Sequence, residues 1–154
     1  MLSSEVQSFI EEHQQDDTNH LRLKYKTIFD IPANVVIDQI SGRKKAKEKL
    51  PIWFGHKRVI YPPSLNLEQS SSEKTALQKM KVAKDLGKVS RGRSTLLDLT
   101  GGFGIDSFFL SKTCKTLYFV EPDGDLIEVA QHIHVALGVR NVYYYKTTAE
   151  LFLD

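Results

Sequence analysis

Apolar residues along this chain keep two rhythms. Before Pro51 they recur at helical intervals, as in Val6, Phe9 and Ile10, whereas after Ser94 they gather into short runs such as Leu96-Leu97 and Leu117-Tyr118-Phe119-Val120. The first rhythm predicts helices and the second buried strands. A helix is expected over residues 4–15, with Ser4 as N-cap. A second, over 19–29, is poorly defined because Leu21, Leu23, Tyr25 and Ile28 share no single period. A third runs from Ala33 to Leu50, with Val35, Val36 and Ile40 on one side, and ends before Pro51.

Trp53, Phe54, Val59, Ile60 and Tyr61 precede a Pro62-Pro63 breaker that marks a junction. Ser70 to Glu73 has capping-box spacing, in front of a helix reaching about Leu86 and stopped by Gly87. Its core stripe is Ala76, Met80 and Ala83, while Lys74, Gln78 and Lys81 face water. Beyond it the expected order is strand (95–99), glycine turn, helix (105–112), strand (116–121), helix (125–137, closed by Gly138), strand (141–146) and the start of a last helix near Ala149. Such alternation implies an α/β fold with parallel pairing and right-handed crossovers. Three strands fall short of the five or more of a doubly wound sheet, so the chain reads as the front part of a longer enzyme. An open sheet edge would also invite a second copy, giving a homo-oligomer.

Composition adds an asymmetry. The net charge of +2 over 154 residues conceals a basic first part and an acidic second: residues 1–93 hold 17 Lys and Arg against 11 Asp and Glu, and residues 94–154 hold 4 against 8. A basic half beside an acidic ligand-binding half fits an enzyme acting on a polyanion, RNA in particular, although a solvated surface accounts for the same count. No run is apolar for the ~20 residues that a membrane span needs, so no membrane partner is expected. The single Cys114 and the lack of a secretory leader suit a reducing, cytoplasmic setting. His132 and His134 lie two apart on a helix and point to different sides, so no metal site is expected.

Candidate chemistry concentrates in Asp98-Leu99-Thr100-Gly101-Gly102-Phe103-Gly104, between the first strand and its helix, with Glu121 ending the next strand about 20 residues on. A turn without Cβ atoms lets backbone N–H groups approach a ligand, and an acidic residue one strand over can accept hydrogen bonds from a ribose diol. This is the pattern of a nucleoside-cofactor pocket. The match to the dinucleotide fingerprint is poor, and the acidic residue before the turn would repel a pyrophosphate.

The arrangement resembles motif I of the class I S-adenosylmethionine-dependent methyltransferases, acidic-x-Gly-x-Gly-x-Gly. Asp98 takes the acidic position, Thr100 replaces the first glycine, Gly102 and Gly104 keep the others, and Gly101 lies between; Asp106 follows the turn as in several RNA methyltransferases with the same Thr. The resemblance implies that Gly101 and Gly102 meet the methionine moiety through backbone, that Glu121 holds the ribose hydroxyls, and that Pro122 and Asp123 line the adenine edge. The family's third acidic position falls near Thr148, a departure. Gln39 to Pro51, Tyr61 to Ala76 and the glycine turn follow one another as in bacterial methyltransferases with a THUMP-like domain, in which a helical N-terminal region precedes a Rossmann-like catalytic fold.

Residues 1–60 are accordingly expected to form the helical region and 61–154 the N-terminal part of the S-adenosylmethionine-binding domain. The motif that carries catalysis in this family has no counterpart here, so no catalytic residue is assigned. The implied activity is methyl transfer to RNA. The alternatives are a non-catalytic nucleic-acid-binding module with a vestigial cofactor fold, another cofactor such as NAD in the same fold, and a turn that binds nothing. The basic stretch Gly42 to Lys49 reads either as a solvated helix face or as a phosphate-contact surface, and Trp53 and Phe54 either as core or as base-stacking rings.

Overall fold

The structure, a computed structural model, describes residues 2–57, 59–62, 64–86 and 93–154. The helix stop expected at Gly87 and the second proline of the breaker, Pro63, lie outside them. The chain forms two compact units, Met1–Glu68 and Gln69–Asp154.

In the first unit, helices α1 (Ser4–Glu12), α2 (Thr18–Lys24) and α3 (Ala33–Lys49) surround a core of Val6, Ile10, Leu21, Ile28, Val36, Ile37 and Ile40. Helix α1 is capped by Ser3, whose Oγ accepts from Val6 N, rather than by Ser4. Asp17 caps α2. The second expected helix stops at Lys24, and its remainder becomes a two-strand antiparallel ribbon, β1 (Thr27–Ile28) with β2 (Ile31–Pro32). Its turn residues Phe29 and Asp30 both adopt positive φ, 49° and 61°, the geometry of the tight hairpin turns that favour Asn and Gly. On α3 the inward positions are Ala33, Val36, Ile37 and Ile40, while Val35, expected on the same side as Val36 and Ile40, turns out to solvent. The short helix α4 (Pro51–Gly55) buries Trp53, and α5 (Ser64–Gln69) buries Leu67.

The second unit opens with α6 (Glu73–Asp85), capped by Ser72 rather than Ser70: Ser72 Oγ accepts from Thr75 N at 3.1 Å. Then follow β3 (Thr95–Asp98), α7 (Ile105–Ser111), β4 (Thr116–Val120), α8 (Gly124–Ala136), β5 (Val142–Tyr145) and α9 (Ala149–Leu153). The strands form one parallel sheet in the order β3-β4-β5, with Leu96 opposite Leu117 and Phe119 opposite Tyr144. This is the α/β alternation that the apolar runs imply. One side chain set, Leu96, Leu117, Phe119 and Tyr144, packs with Ile127, Ala130 and Cys114. The other set leaves Leu97, Tyr143 and Tyr145 substantially exposed. Parallel pairing puts the carboxyl ends of β3 and β4 side by side, where ligands of such sheets sit.

Candidate ligand site at the glycine turn

Leaving β3, the chain folds back on itself through two backbone bonds: Gly101 N donates to Val120 O and Gly104 N to Gly101 O, each at 2.9 Å. Its three glycines serve three different purposes. A Cβ on Gly101 would stand 2.3 Å from the Phe119 ring, so bareness there permits close packing on β4. Gly104 has φ +81°, and a Cβ would press within 2.8 Å of the His134 ring, so helix α8 needs that space. Gly102, at φ +52°, would place its Cβ in open space, with nothing nearer than Thr100 O at 3.9 Å. Of the three, it alone leaves room for a ligand to lie against the backbone.

Glu121 follows β4 and is buried, yet its carboxylate turns to the glycine loop. Oε2 accepts from Gly102 N at 2.8 Å and Oε1 from Asp123 N at 3.0 Å. An ionised carboxylate offers about four lone-pair sites, so two remain for hydroxyls. Asp123 also caps α8, its Oδ1 accepting from Asp125 N and Leu126 N, and Pro122 beside it is exposed. Thr100 is exposed. Thr148, at the position of the family's third acidic residue, caps α9.

Asp98 accepts from Thr100 N at 3.2 Å and from the Ser107 hydroxyl. Burial pushes its carboxyl above the ordinary value, against those two hydrogen bonds, and the nearby Asp106 adds to the rise. Asp106 Oδ2 accepts from Lys79 Nζ at 2.7 Å and Ser71 Oγ at 2.8 Å, while its Oδ1 is buried with no donor among the described residues. The strand ends therefore carry Asp98 and Glu121 and the first turn of α7 carries Asp106, which pairs with Lys79. That is a setting for a positively charged or hydroxyl-rich ligand, not for a pyrophosphate.

Beneath the turn sits His134, whose spacing from His132 says only that the two share no metal. His134 is fully buried, with Nε2 2.8 Å from Gly104 O and Nδ1 2.7 Å from the Tyr144 hydroxyl. A carbonyl can only accept, so Nε2 carries the proton and donates to Gly104, and Nδ1 accepts from Tyr144. Desolvation holds its pKa down at about 4. His134 thus pins the αL residue that starts α7.

No protein-family profile and no curated protein matches the chain. A solved structure from Porphyromonas gingivalis W83, whose methyltransferase assignment is itself provisional, superposes with TM-score 0.72 at 24% identity, covering 99% of this chain and 38% of that one. This likeness shows the fold, and the chain spans well under half of that protein. An rRNA methylase from Streptococcus thermophilus aligns with TM-score 0.40 and 22% identity, over 44% of this chain and 41% of its own, too loosely to support an argument.

Proposed function

We propose that this chain is the N-terminal portion of an S-adenosylmethionine-dependent methyltransferase acting on RNA. The observation that carries the reading is the hydrogen bond between Glu121 and Gly102 N, which joins the second-strand carboxylate to the one glycine of the turn with open space before it. When bound, the cofactor supplies an electrophilic methyl group on a positively charged sulfur.

The residues present fit such a group. Glu121, fixed by two backbone donors, keeps acceptor capacity for a sugar diol. Gly102 offers backbone at close range with Gly101 packed on Phe119 behind it, Thr100 and Gly104 bound the turn, and Pro122 with Asp123 follow Glu121 where a base would lie. Asp98 and the unpartnered Oδ1 of Asp106 give the turn a negative potential suited to an ammonium group. The part these residues play is to position and desolvate.

Calorimetry with S-adenosylmethionine tests this on the full chain, beside Glu121→Gln and Gly102→Ala. Binding by the parent that weakens at least about tenfold in each folded variant is expected; a tenfold loss is about 1.4 kcal/mol, the scale of one hydrogen bond to a charged group. Absence of heat at millimolar ligand, in a chain shown to be folded by circular dichroism, overturns the reading and leaves the non-catalytic module.

A further inference from the structure

The basic stretch on α3 divides by helical period into two faces with different occupations. Lys45 and Lys49 turn toward α5: Lys45 Nζ pairs with Ser64 Oγ and Glu68, and Lys49 Nζ donates to the carbonyls of Leu67 and Glu68, both at 2.7 Å. Lys49 thus satisfies the end of a helix, and Lys45 is held by side chains of the same helix. Arg43, Lys44 and Lys47 lie on another face, where with Gln14, Gln15 and Phe54 they line a crevice of about 400 Å³.

Three cations and no carboxylate line this crevice, and two acids that feel Arg43 and Lys44 are engaged elsewhere. Glu11 pairs with Lys57 at 2.9 Å, and Asp16 bonds His13 at 2.6 Å. The Arg43 guanidinium stacks 4.8 Å from the centre of the Phe54 ring. Stacking holds its plane and leaves N–H edges for a planar, bidentate acceptor. Its Nε is buried with no hydrogen-bond partner among the described residues. Lys44 Nζ gives one proton to Asp16 O and has two more, and Lys47 is exposed. Positions 43, 44 and 47 stand at i, i+1 and i+4, so Arg43 with Lys47, and Lys44 with Lys47, are neighbours along the helix surface.

We propose that this crevice binds the phosphodiester backbone of single-stranded RNA, with Arg43 and Lys47 gripping phosphate and Gln14, Gln15 and Phe54 meeting the attached nucleoside. Volume, amide donors and a ring favour a nucleotide over a bare phosphate or a lipid headgroup, for which cations alone suffice. The inference rests on the RNA part of the proposed function but not on the cofactor.

The test is fluorescence anisotropy of a labelled single-stranded RNA with the full chain, over a salt series. Arg43→Gln and Lys47→Gln are expected each to weaken binding about tenfold at low salt and to lower the slope of log K against log salt by about 0.7. Lys45→Gln removes the same charge from the same helix at a position already paired, and is expected to change affinity less than about twofold. Lys47 is exposed, so its variant keeps the test open should Arg43→Gln not fold. Equal losses in all three variants, full competition by inorganic phosphate at matched ionic strength, or binding to phosphatidylserine vesicles in place of RNA each overturn the proposal. Calorimetry with S-adenosylmethionine on Lys47→Gln should match the parent, so failure here and failure at the glycine turn are told apart.

Discussion

Acidification should loosen the glycine turn through His134. Folded, this imidazole takes a proton only near pH 4; unfolded, it does so near 6.5. Between those values the unfolded chain binds more protons, so stability is complete above pH 6.5, falls as the pH drops, and loses nothing further below about 4. At 1.36 kcal/mol per pH unit the gap corresponds to roughly 3 kcal/mol, of which about 2 kcal/mol is gone by pH 5. That is a large share of the 5–15 kcal/mol typical of a folded domain. Urea titrations from pH 7 to 4 measure it, provided the signal comes from the right unit. Trp53, the sole tryptophan, lies in the first unit, so its fluorescence reports that unit. Amide exchange at Phe108, whose N–H donates to Gly104 O at 2.9 Å, serves for the second. His134→Phe keeps a ring of similar bulk without the titrating group, strands the Tyr144 hydroxyl and leaves Gly104 O with Phe108 N as its donor, at a cost of about 1–3 kcal/mol at pH 7. Its pH profile should be flatter than the parent's between 6.5 and 4. An equal slope in parent and variant refutes the assignment.

Gly101→Ala, with its Cβ only 2.3 Å from the Phe119 ring, should cost several kcal/mol and be visible as loss of the cooperative thermal transition. Gly102→Ala meets no obstruction and should cost only about 1–2 kcal/mol for its positive φ, measured by thermal melting. Asp98→Asn removes a carboxylate whose folded pKa is raised, hence a group that favours folding at low pH and loses that contribution as the pH rises through its folded value. At pH 7 the variant should melt no lower than the parent while binding S-adenosylmethionine more weakly, by calorimetry. Lys49→Ala frees the carbonyls of Leu67 and Glu68 and should destabilise the first unit by about 1–2 kcal/mol, read from Trp53 fluorescence in urea.

The parallel strands and the helix between Gly124 and Ala136 were legible because their apolar runs are short, bounded by glycine and polar residues, and too regular to mistake. Caps were legible only to within a residue or two. Ser3-Ser4 and Ser70-Ser71-Ser72 offer chemically equal hydroxyls, and packing decides among them: Ser72 caps α6, while Ser71 is drawn off to Asp106. The β1-β2 ribbon was not legible, because Phe29-Asp30 lacks the Asn-Gly signature and is held at positive φ by what surrounds it.

The site shows the same division more sharply. Spacing alone brings the glycine turn and Glu121 to adjacent strand ends, since parallel pairing forces that neighbourhood once β3 and β4 are recognised. Spacing cannot rank the glycines. Gly101, Gly102 and Gly104 look alike in a motif, yet one yields to a phenylalanine, one to a histidine, and one to nothing in the protein. Only the last has a conformation and a void that packing does not explain, and it bonds the carboxylate expected to hold the ligand. The part that His134 plays was not legible, for the converse reason. Its partner Gly104 lies 30 residues away, and a lone histidine two positions from another carries no sign of what the fold places above it. The basic run on α3 is the intermediate case: the helical period already separates Lys45 and Lys49 from Arg43 and Lys47, but which face meets α5 and which opens to solvent depends on tertiary packing.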